Sequence, residues 1–150
     1  MREAPEISLR PLPGSEDDEP RSEVLVDRRA TGSVIAGCVL EAAVRCEPGW
    51  LLLVTNDTPY EEFLNIHLLD ESTAQPLDSA RIGGPNSTGT FSNLKLEPPS
   101  TVHFRFIDEA DWSVRVLPRA KRALPLWPDA RGVWRGSRLT RHFEVRRSPA

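Results

Sequence analysis

The chain has 150 residues, of which 39% are apolar and 27% charged, with a formal net charge of −3; these values match soluble globular domains and exclude general disorder. The length fits one domain, able to bury roughly 70% of its unfolded surface without a disulfide or a metal. Proline is the count out of line: fourteen residues is nearly double the usual ~5%, and most lie between apolar runs, where a many-stranded protein places its turns.

Residues 1–22 combine four prolines with the acidic run Glu16-Asp17-Asp18-Glu19. No apolar segment follows the N-terminal charges as in a signal peptide, and no stretch approaches the ~18 apolar residues of a membrane span. The expectation is a mobile acidic tail over 1–22, then one domain over 23–150 with a basic extension from 119, in a cytoplasmic setting where both cysteines stay reduced. Val24-Leu25-Val26 is short and flanked by charge, which fits an edge strand.

Val34 to Cys46 reads as one strand by alternation, with Val34, Ala36, Cys38, Leu40, Ala42, Val44 and Cys46 on one face. Leu40-Glu41-Ala42-Ala43 favour a helix, but the turn Glu47-Pro48-Gly49 leading into an apolar run decides for a hairpin. On one strand, Cys38 and Cys46 lie far beyond disulfide reach, so each is expected as a small buried hydrophobe. Trp50 to Val54 is apolar on both faces, as a doubly covered central strand is. After Asn56-Asp57-Thr58-Pro59 the chain re-enters as Phe63 to Leu69, with His67 expected half-exposed.

Asp78 to Ile82 is predicted as a weak edge strand, Gly83 to Ser87 as a loop, and Thr90 to Leu96 as a strand ending at Pro98-Pro99. Val102, Phe104 and Phe106 alternate with polar residues, as do Trp112, Val114 and Val116; together they predict the cleanest hairpin. Leu139 to Val145 is a candidate last strand. The fold class is therefore all-β: an antiparallel β-sandwich of about eight strands, jelly-roll or immunoglobulin/C2-like.

No nucleophile elbow, zinc-binding or P-loop motif is present, so catalysis by histidine and carboxylates is an alternative without a local signature. The loops after Val54 (Asp57, Glu61, Glu62) and after Phe106 (Asp108, Glu109, Asp111) are expected at one end of the sandwich. Hard cations take carboxylate and carbonyl oxygens, so these six residues are the candidate calcium ligands, resembling C2-type calcium modules in that respect only. Without calcium they are solvated loop tips and no cofactor is expected.

Charge divides sharply along the chain. Residues 1–112 hold 9 basic and 20 acidic residues, a balance of −11, and residues 113–150 hold 10 and 2, a balance of +8, which sum to the −3 of the whole. The basic end carries the candidate partner-binding residues Arg119, Lys121, Arg122, Trp127, Arg131, Trp134 and Arg135. Arginines with tryptophans also fit a nucleic-acid strand, but an acidic chain opposes that approach. Trp50, Trp127 and Trp134 are the candidates for a sugar platform. The favoured reading is a non-catalytic interaction module whose basic end docks on the chain's own acidic body, with Leu139 to Val145 adding a strand to its own sheet; a second copy, as in a homodimer, or another protein is the alternative partner.

Overall fold

The computed structural model describes residues 1–14, 18–58, 61–84, 88–107, 110–122, 130, 132–136 and 140–148. All regular structure among them is β. In chain order the strands are β1 (Arg2–Glu3), β2 (Ile7–Pro11), β3 (Arg21–Val26), β4 (Arg29–Ala36), β5 (Val39–Cys46), β6 (Gly49–Thr55) and β7 (Leu64–Asp70). They continue as β8 (Pro76–Ile82), β9 (Ser92–Glu97), β10 (Thr101–Arg105), β11 (Asp111–Arg122), β12 (Val133–Arg135) and β13 (Thr140–Arg147). Three sheets result, six-stranded β1-β5-β6-β7-β8-β12, four-stranded β13-β11-β10-β9 and three-stranded β2-β3-β4. Each is antiparallel, and β5 to β8 form a meander of sequential neighbours.

The hairpin β6–β7 lies at the centre because both its faces are apolar. Leu51 and Leu53 point one way, with Leu64, Ile66 and Leu68, into a core closed by Val102, Phe104, Phe106, Trp112, Val114, Val116, Phe143 and Val145 of the four-stranded side. Trp50, Leu52 and Val54 point the other way, into a second core closed by Ile7, Val24 and Ile35. The six-stranded sheet is thus the middle layer of three, with each fully buried large side chain contributing about 1.5–3 kcal/mol. Two glycines allow the close approaches. A Cβ at Gly49 would lie 1.8 Å from the Leu69 carbonyl oxygen, and one at Gly37 would lie 2.5 Å from Val54 Cγ1.

The β-sandwich expectation holds, as does the β10–β11 hairpin, in which Val102 faces Val114 and Phe104 faces Trp112. Several local expectations do not. The stretch taken for a tail contributes β1 and β2, with β2 paired along its length to β3 (Ile7 to Val26, Pro11 to Ser22), while residues 15–17 lie outside the described set. Val24-Leu25-Val26 is consequently in a middle strand, not an edge.

Val34 to Cys46 is two strands in two sheets. The chain crosses between them at Gly37, with φ +104, where its N–H donates to the Pro20 carbonyl and its own carbonyl accepts the Ser22 hydroxyl. The crossing resets the alternation, leaving Ile35 buried and Val34 43% exposed. Both cysteines are free thiols. The expected weak edge strand is longer (β8) and is covered by β12. Asn93, at φ 56, shifts the β9 alternation so that Phe91, Leu94 and Leu96 all pack on the core; asparagine tolerates this left-handed conformation better than most residues. Among the described residues thirteen strands stand where about eight were expected, chiefly because short β1, β2 and β12 carry too few large apolar residues to show a period.

Candidate functional site

Three groups of polar residues merit inspection: a buried network in the middle layer, the acidic loop end, and the basic strand end. The first begins at Asn65, on the outer face of β7. Its amide donates to the Val54 carbonyl (3.0 Å) and to Asn56 Oδ1 (2.7 Å), and its oxygen accepts Arg81 Nε (3.0 Å). Arg81 then grips Glu19 through two parallel bonds of 2.8 and 3.0 Å and lies over the Phe63 ring. The hydrogen bond from Arg81 holds the Glu19 carboxyl below the usual range against the opposing effect of desolvation.

His67 joins the same layer and is buried, not half-exposed. Its Nε2 lies 3.1 Å from the Ala36 carbonyl and its Nδ1 2.8 Å from the Ser79 hydroxyl. A carbonyl only accepts, so Nε2 carries the proton and Ser79 donates to Nδ1. Burial pushes the imidazole pKa down to about 4, with Arg81 adding to the effect and the Ala36 bond opposing it. The unfolded chain therefore binds a proton that the folded chain refuses, and stability is retained above pH 6.5 and lost as pH falls toward 4. The loss over that window should be on the order of 3 kcal/mol, measured by urea unfolding at pH 7.5, 6 and 4.5. His67→Gln should flatten that part of the pH dependence; an unchanged slope would contradict the assignment.

Asp78 projects from β8 toward the inner core, its side chain 4% exposed. One carboxylate oxygen accepts the Ser79 N–H at 2.9 Å, and the other accepts Arg135 Nη1 at 2.9 Å and the His142 N–H at 2.8 Å. Arg135, 10% exposed, also donates to the Phe143 carbonyl at 2.7 Å and lies over the Phe143 ring. One carboxylate thus fastens β12 and β13 to β8, beside a cavity of about 90 Å³ lined by Ser79, Gly136, Thr140 and Arg141.

At the acidic end, Asp57, Thr58 and Glu62 share a cleft of about 510 Å³ with Thr88, Gly89 and Thr90. Gly89 packs against Ile107, so the two acidic loops do meet at one end. Their carboxylates are spent differently from a cation site. Glu62 accepts the Asn56 and Phe63 N–H groups at 2.8 and 3.1 Å, Asp111 accepts Arg105 Nε at 3.0 Å, Asp57 and Glu61 are exposed, and Asp108 and Glu109 lie outside the described residues. Among the described residues no group of three or more His, Cys, Asp or Glu is placed to hold a metal ion. The Cys38 thiol beside this loop is pushed up by burial and by Asp57 and Glu62, which disfavours the reactive thiolate.

Of the candidate partner residues, Arg119, Lys121 and Arg122 are exposed near the end of β11. Here β11 leaves register after Val116 and pairs again with β13 through Lys121 to Arg141 and Arg122 to Thr140, giving a two-stranded ribbon bearing cations on both strands. Trp134 is 62% exposed, its indole N–H donating to the Gly83 carbonyl at 2.9 Å. Arg135 must be reassigned: it is buried against Asp78 and is structural. Trp127 and Arg131 lie outside the described residues. Of the sugar-platform candidates, Trp50 is in the core.

Asn65, Asp78 and Ser79 escaped the reading of the sequence. Asp78 left one signal, a carboxylate in step with Ala80 and Ile82 on an otherwise apolar face. Among the described residues a histidine meets a carboxylate side chain to side chain where His103 lies 2.6 Å from Glu97, on the exposed face of β10 and β9. No helix among the described residues is long and apolar enough to cross a membrane. Comparison with family models, with curated proteins and with solved structures gives no match.

Proposed function

We propose that this protein is a non-catalytic interaction module that engages acidic protein surfaces through the β11–β13 ribbon. The observation that carries the reading is how its charges are used. Arg2, Arg10, Arg45, Arg81, Arg105, Arg115 and Arg135 each pair with a carboxylate, whereas no described carboxylate pairs with the exposed Arg119 or Arg122, nor with Arg21, Arg28 or Arg29; what sets the first two apart is that they stand with Lys121 and Arg141 on one two-stranded ribbon. The buried groups able to do acid–base or nucleophilic work, His67, Ser79 and Asp78, spend their polar atoms on bonds within and between the layers. The chain's net charge of −3 weakens long-range attraction to any anion, so binding rests on the local cations of the ribbon; an acidic protein fits better than nucleic acid because it needs no aromatic platform beside them to stack bases. The two free thiols accord with a reducing, cytoplasmic setting.

Titration with a short oligoglutamate peptide, followed by calorimetry, tests the reading. Salt-sensitive binding is expected, weakened about tenfold in R119Q/R122Q with an unchanged melting temperature. Binding that ignores the double substitution, or a single-stranded oligonucleotide of equal charge bound more tightly than the peptide, would contradict it.

A further inference from the structure

The two charged regions of this chain lie where they cannot satisfy each other. The β11–β13 pair is bounded at one end by Trp112 opposite Arg147 and at the other by Arg122 opposite Thr140. The acidic loops belong to the first end: Asp111 precedes Trp112 there, its carbonyl accepts the Ser148 N–H, and Ile107 packs against Gly89 of the cleft that Asp57 and Glu62 line. The cationic ribbon is the second end. Seven residue steps of β13 separate them, roughly 23 Å at 3.3 Å per step, against a screening length of about 8 Å at physiological salt. Strand pairing holds that separation rigidly, so within one molecule the attraction goes unused.

We infer that the occupant of the ribbon is the acidic loop end of a second copy, so that molecules associate head to tail. This rests on the reading of the ribbon as a docking surface and names its partner. Charge complementarity supports it: exposed Arg119 and Arg122, with Lys121 beside them, meet exposed Asp57, which lines a cleft large enough to admit several side chains, and exposed Glu61 of the same loop. A contact of this kind joins two different surfaces, so a pair of copies keeps one unused surface of each sign, and association proceeds to chains or closes into rings rather than stopping at a symmetric dimer. Its polar composition makes it dependent on salt and concentration.

Light scattering on the intact protein across a concentration series, at low and high salt, tests the inference together with two surface variants, R119Q/R122Q and D57N/E61Q. The wild type should gain mass with concentration at low salt and return to monomer at high salt, while each variant alone stays monomeric. Mixed one to one, the variants should form a dimer and nothing larger, because the mixture holds one intact ribbon and one intact loop end per pair. A wild type that stays monomeric at low salt, variants that assemble normally, or a mixture that stays monomeric would each overturn the inference. The oligoglutamate titration separates the two failures: a monomer that still binds the peptide through the ribbon overturns head-to-tail assembly and leaves the docking surface standing, and a monomer that binds neither overturns both.

Discussion

Replacing Asp78 by alanine is expected to cost about 3–5 kcal/mol, because breaking a buried ion pair strands its partner charge. Arg135 would keep its place over Phe143 without the Asp78 carboxylate, and the Ser79 and His142 N–H groups would lose their acceptor. The effect should be more than a lower midpoint in urea. β12 and β13 meet β8 through this carboxylate, so amides of 133–135 and 140–143 should lose protection from exchange before those of β6 and β7 do. Pairing Asp78→Leu with Arg135→Met should recover much of the loss, since an apolar pair of similar volume removes the stranded charge. A loss below about 1 kcal/mol for the single alanine would show that water reaches the pair and that the strands are held by packing alone.

The second large effect is expected at Phe104. Its ring is 2% exposed and stacks on Phe91 at 5.3 Å between centroids, facing Trp112 across the hairpin. Truncation to alanine removes those contacts and opens a cavity where two sheets meet, at a cost of about 3–5 kcal/mol. The Trp112 indole, which donates to the Phe106 carbonyl at 2.7 Å, gives a local readout: its fluorescence should change with the substitution. An unfolding free energy within about 1 kcal/mol of the wild type would contradict the assignment of this face to the core.

The parts of the fold legible in the sequence are those where large apolar residues repeat on a strand period. Trp50 to Val54 could only be a strand covered on both faces, and Val102-Phe104 with Trp112-Val114-Val116 could only be a half-buried hairpin. The third sheet was hidden because its inner face is thin. Ile7, Val24 and Ile35 each supply one buried sizeable side chain, Leu9 and Val26 pack there only partly buried, and small residues such as Ala4, Ser22 and Ser33 fill the remainder. Prolines and charges around them read as a tail. The break at Gly37 was hidden for a different reason: the alternation on either side of it looks continuous, and only the approach of Val54 and Asn65, distant in sequence, requires glycine there.

Site residues followed the same division. The charge asymmetry, the exposed cations of β11 and the meeting of the acidic loops were visible because they depend on composition and strand direction. Arg135 was misread because its partner Asp78 lies 57 positions away, and His67 because the carbonyl it meets belongs to another sheet. Burial of a charge depends on a partner that local sequence does not name.

The claim that this protein works through its ribbon is tested most directly by mapping amide chemical shifts during titration with oligoglutamate. The account predicts perturbation concentrated at 119–122 and 140–141, at one end of β11 and β13, with Asn65, His67 and Asp78 unmoved. Shifts centred instead on the 56–62 and 88–90 loops, or spread evenly over the surface, would contradict it.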